Sequence, residues 1–85
     1  MWWKKLPTGD ALVADPVKLE NTVFRLLFRH GALTPHMMSV YLLVPLKLIE
    51  PLVKKLEGEE KVCHVIEEGE GEKWEQWAFA LTSLG

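Results

Sequence analysis

The stretch "LVPLKLIEPLVKKLEG", residues 43 to 58, limits the fold most tightly, because it carries a helical apolar stripe and two prolines at once. Ile49, Leu52, Val53 and Leu56 recur at i, i+3, i+4 and i+7, the spacing of a helix buried along one side. A proline well inside a helix removes a hydrogen bond and presses on the carbonyl four residues back, costing ~3 kcal/mol. The pattern therefore predicts that regular helix begins near Lys47 or Leu48. Pro51 then falls in or just after the first turn, where few backbone donors have a partner anyway. Pro45 stiffens a preceding turn over Leu43 to Leu46, and Gly58 ends the helix.

Two more helices are predicted upstream. In "DPVKLENTVFRLLFRHG", Asp15 can cap, Pro16 suits the first helical position, and Gly31 can end the helix after Arg29 and His30. Its expected buried stripe is Leu19, Val23, Leu26, Leu27 and His30. In "LTPHMMSVYL", Thr34 caps and Pro35 sits in the first turn, while Met37 occupies the place where a full capping box has Glu or Gln. Downstream, "KVCHVIE" and "WEQWAFALT" alternate in polarity and are rich in β-branched and aromatic residues. They read as two strands of a hairpin joined by the glycine-containing "EGEGEK".

Three short helices followed by a hairpin, with a tight link between the second and third helices, define an α+β fold of winged helix-turn-helix layout. The chain of 85 residues suits one such domain, assigned to 16–85 with 1–15 as an N-terminal extension. It is too small for a core plus a separate catalytic cleft. The lone Cys63 cannot close an internal disulfide, which agrees with a reducing, cytoplasmic setting. No apolar run reaches the ~20 residues of a bilayer span, and the start lacks the apolar run of a signal peptide, so no membrane partner is expected.

Charge is unevenly divided. Residues 1–55 hold eight Lys or Arg against four acids, a net +4, whereas 56–85 hold two against eight Glu, a net −6. The C-terminal third should therefore repel a phosphate backbone.

From about residue 19 onward the chain resembles the winged-helix family. "LTPHMMSVYLLVP" looks like its second helix and turn, "LIEPLVKKLEGEEKV" like its third helix running into the first wing strand, and "WAFALTSLG" is similar to the aromatic-x-aromatic-x-Leu-Thr-x-x-Gly ending common in such domains. More particularly, Pro45, Ile49, Glu50, Pro51 and Leu52 resemble the accessory winged-helix segment that precedes the ATPase core in predicted bacterial AAA+ ATPases. That resemblance implies a regulatory or interaction module. It implies no ATPase here, since no Gly-x-x-x-x-Gly-Lys-Ser/Thr occurs. The usual family ending runs on past "LTSLG", which marks the chain as a fragment or a stand-alone relative.

Two candidate surfaces follow. The second helix is apolar nearly all round: Met38 and Leu42 suit the core, leaving Met37, Val40, Tyr41 and Leu43 on faces that are usually polar. With Leu48 and Pro51 these form a candidate partner interface for a neighbouring domain, another protein or a second copy as a homodimer. The alternative is that Trp2, Trp3 and Leu6 fold back over the same patch.

The other surface is the outer side of the third helix. It offers Lys47, Glu50, Lys54 and Lys55 to a duplex, with Lys4, Lys5, Arg25 and Arg29 assisting a dimeric transcriptional regulator. Leu48 and Pro51, on the same helix, offer no hydrogen bond to a base edge. In the wing, Glu67, Glu68, Glu70, Glu72 and Glu75 read as a solvated acidic loop, or a dock for a basic protein, and disfavour nucleic acid. Trp74, Trp77 and Phe79 read as packing.

No catalytic, cofactor or metal site is expected. Cys63 and His64, adjacent in a strand, point to opposite faces and cannot easily share an ion, so Cys63 is assigned to the core. The glutamates cluster in a turn where nothing raises a pKa.

Overall fold

The computed structural model describes residues 7–66 and 69–82. The elements in order are α1 (Asp10–Val13), α2 (Pro16–His30), β1 (Ala32–Leu33), α3 (Pro35–Leu42), α4 (Leu46–Gly58), β2 (Val62–Val65), a single turn of 3₁₀ helix (Trp74–Gln76) and β3 (Ala78–Leu81). The fold is α+β, with one three-stranded antiparallel sheet in the order β1-β3-β2. No helix among the described residues is long and apolar enough to cross a membrane.

The predicted caps form. The Asp15 side chain accepts from the Lys18 amide at 3.1 Å, Pro16 opens α2, and Gly31 closes it at φ 86°. Leu19, Val23, Leu26 and Leu27 are buried as the periodicity requires, but His30 is exposed. At the last turn of α2 its imidazole escapes the core and lies against the ring of Tyr41, centroids 5.1 Å apart. Thr22 is buried instead, and its hydroxyl is satisfied by donating to the Lys18 carbonyl at 2.7 Å.

α4 begins earlier than expected, at Leu46 with Pro45 as its N-cap, so Pro51 lies inside the helix. The Lys47 carbonyl consequently receives no amide from the residue four ahead. Ile49, Val53 and Leu56 are buried, which outweighs that loss; the ring of Pro51 faces out.

Three elements lie outside the expected plan: the 3₁₀ turn, β1 and α1. Only Ala78–Leu81 of "WEQWAFALT" is strand, the preceding Trp74–Gln76 being a 3₁₀ turn, and β3 pairs on both sides rather than one. Ala32↔Ala80 and Leu33↔Phe79 join it to β1, and Val62↔Leu81 through Val65↔Ala78 join it to β2. The third is α1. Gly9, at φ 63° and ψ −135°, adopts a backbone shape open to glycine, and its amide donates to the Leu42 carbonyl at 2.8 Å. Leu12 then enters the same fully buried core as Phe79, Met38 and Ile49.

Candidate functional site

The corner between α3 and α4 is built by local hydrogen bonding. The Thr34 hydroxyl caps α3 by accepting from the Met37 amide at 3.1 Å. At the other end Leu43 adopts the left-handed conformation, φ 55° and ψ 43°, while its amide closes onto the Ser39 carbonyl. The Ser39 hydroxyl donates to the Val44 carbonyl at 2.6 Å, and the Val44 side chain is buried. Leu43 is thus turned outward, 69% exposed, in a conformation that costs a branched side chain roughly 1–2 kcal/mol. Val40 and Tyr41 beside it are about half exposed.

The other candidate interface residues lie elsewhere. Leu48 and Pro51 line an apolar groove of about 340 Å³ between α4 and the α1–α2 region, together with Leu52, Val13 and Val17. Lys55 reaches Glu20 beside this groove, Nζ to Oε1 3.5 Å, a distance that gives charge attraction but a poor hydrogen bond. Met37 faces a separate shallow depression between β1 and residues 69–71. The six residues are therefore divided among a corner, a groove and a depression. Trp2, Trp3 and Leu6 lie outside the described residues.

Of the candidate DNA-facing residues, Glu50 and Lys54 pair with each other at 2.9 Å. The Lys54 ammonium also sits 5.2 Å above the Trp74 ring, and Lys55 is drawn to Glu20. Lys47 is exposed and, among the described residues, in no ion pair. Arg25 and Arg29 are exposed on α2, while Lys4 and Lys5 fall outside the described residues. The surface of α4 is thus closer to neutral than its lysine count suggests.

A further cluster forms where residues 70–77 meet β2 and β3. His64 stacks on Trp77 with centroids 4.6 Å apart and planes 9° from parallel, and its Nε2 meets Glu70 Oε2 at 2.8 Å. Trp74 and His64 both approach the buried ring of Phe79, at 5.4 and 5.7 Å. Glu70 is accordingly a pinned residue in a loop that reads as freely solvated. Glu67 and Glu68 lie outside the described residues.

Assigning Cys63 to the core turns His64 outward, but β2 is set the other way: His64 shares the face of the buried Val62 and Cys63 is exposed, so the core assignment of Cys63 is corrected. Among the described residues no three His, Cys, Asp or Glu come together in a way that could hold a metal ion. No family model, curated protein or solved structure matches the chain.

Proposed function

We propose that the chain is a winged helix-turn-helix domain acting as a non-catalytic interaction or regulatory module, of the kind that accompanies the motor core of bacterial AAA+ ATPases. The order α2, β1, α3, α4, β2, β3, with the last two strands paired, supports the winged-helix reading. The observation that carries the functional reading is the corner at Leu43. A leucine held outward in left-handed backbone, flanked by Val40 and Tyr41, spends both solvation and conformational free energy on display. Covering that corner with a protein surface recovers the solvation part.

The competing reading, a DNA-binding regulator acting as a dimer, draws on Lys47, Glu50, Lys54 and Lys55. Three of these four are engaged within the molecule, and the wing is acidic. An electrophoretic shift with mixed-sequence duplex at low salt separates the two. The interaction module leaves the duplex unshifted. A clear shift that Lys47→Ala plus Lys54→Ala abolishes overturns it in favour of the regulator.

A further inference from the structure

The solvent side of α2 carries an ordered pattern that shares Arg25 and Arg29 with the DNA-facing alternative and Val17 with the groove beside Leu48 and Pro51, but lies apart from the Leu43 corner. Val17, Phe24 and Phe28 fall at i, i+7 and i+11, and Lys18, Arg25 and Arg29 repeat the same spacing one residue later. With 3.6 residues per turn these spacings make two straight rows about 100° apart around the helix, each about 16 Å long. The apolar row is open to solvent: Phe28 is 84% exposed and Val17 67%, with Phe24 half-buried between them. In the basic row all three cations are exposed, and none is in an ion pair among the described residues.

The acids packed near this face are already occupied. Asp15, at the N-terminal end, caps α2 through the Lys18 amide, and Glu20, on the far shoulder, faces Lys55. Asn21 lies between the rows and is uncharged. A shallow depression lined by Pro7, Asp15, Val17, Lys18, Asn21, Thr22 and Arg25 marks the N-terminal half of the face, with Asp15 its one carboxylate.

We infer that the outer face of α2 is a docking site for an acidic amphipathic helix of another protein, which lays its apolar row on Val17 and Phe28 and its carboxylates on Lys18, Arg25 and Arg29. Charge complementarity selects the acidic row of the partner. The straight paired rows select its shape, because side-chain ridges along one helix fit the grooves of another. Exposed aromatic and arginine side chains side by side are also the composition of interface cores. A phosphate backbone would engage the cations but leave Phe28 exposed. A lipid surface is a poorer fit, since interfacial helices bury a broad apolar face, whereas this row is one residue wide with cations on one shoulder only. The site uses a different face from the Leu43 corner and stands or falls apart from it.

The test is fluorescence anisotropy with a labelled synthetic helix of about five turns, bearing leucines in one row and glutamates in the adjacent row. The intact chain should bind it saturably, and the same peptide with glutamine for glutamate should bind about tenfold more weakly. Arg25→Glu with Arg29→Glu should weaken the acidic peptide by at least about tenfold, and a peptide with lysine for glutamate should recover binding to that variant. Phe28→Ser should weaken binding about fivefold while leaving its salt dependence intact. These residues are exposed, so circular dichroism should show every variant folded.

Absence of saturable binding, equal affinity for the glutamine peptide, or indifference to the substitutions overturns the proposal. So does binding of mixed-sequence duplex, or of phosphatidylserine vesicles, that depends on Arg25 and Arg29 while the acidic helix fails to bind.

Discussion

Among the described residues, two with side chains occupy the left-handed region, Leu43 at φ 55° and Glu60 at φ 62°. Glu60 follows the end of α4. Its amide donates to the Glu57 carbonyl and that of Lys61 to the Leu56 carbonyl, the paired bonds of a Schellman ending. Glycine is the usual residue at that position, yet Gly58 stands two places earlier as the last helical residue. Glu60→Gly should therefore relieve the strained backbone and raise stability by about 0.5–1 kcal/mol, read from urea unfolding. Unchanged or reduced stability would refute this. At this scale the sequence was legible for caps, since Asp15, Thr34 and Gly31 act through bonds to near neighbours. It was less legible for His30 and Cys63, whose exposure depends on what lies across from them in space.

Among the elements, α4 shows how burial overrides a local rule. Pro51 stands where its missing amide would have met the Lys47 carbonyl, and the helix persists because Ile49, Val53 and Leu56 fill the core. Pro51→Ala restores that bond and should stabilise the domain by about 1–2 kcal/mol, the helix gain being partly offset by a freer unfolded chain. Thermal unfolding should then shift upward; a lower midpoint would mean that the proline ring is needed for packing in the groove. The periodic helices and the β2–β3 pairing could be read in advance because each repeats a signal over several residues. β1 could not, since two residues carry no period and Ala32–Leu33 become strand only through their register with Phe79 and Ala80. Trp74–Gln76 carried strand-like composition, but aromatic residues suit any half-buried surface, and here they serve a 3₁₀ turn over Phe79.

For the whole molecule, the main revision concerns residues 9–14. The segment appears in the sequence as part of an extension, but Gly9 is tied to Leu42 and Leu12 is fully enclosed by the core. Leu12→Ala should cost about 2–5 kcal/mol, a loss comparable to removing any central core residue. A change below about 1 kcal/mol in chemical denaturation would show α1 to be a peripheral arm, because exposed sites rarely exceed that range. The division of charge also acts at this scale. Residues 1–55 carry a net +4 and residues 56–85 a net −6, and among the described residues Lys18, Arg25 and Arg29 on α2 and Lys47 on α4 are exposed cations outside any ion pair. Of the interface candidates, Leu48 and Pro51 share a groove, while Val40, Tyr41 and Leu43 mark the corner and Met37 turns toward β1 and residues 69–71.

By itself the sequence determined where the long helices run, how α2 and α3 are capped, which of their faces are apolar, and how charge is divided along the chain. Each follows from interactions spanning a few residues, and such interactions are written in spacing. The tertiary structure alone decided that Leu12 completes the core, that β3 is the central strand, that Glu70 is held by His64, and which lysines of α4 are engaged. Those contacts join residues distant in the chain, and their free energy exists only once packing has brought the partners together.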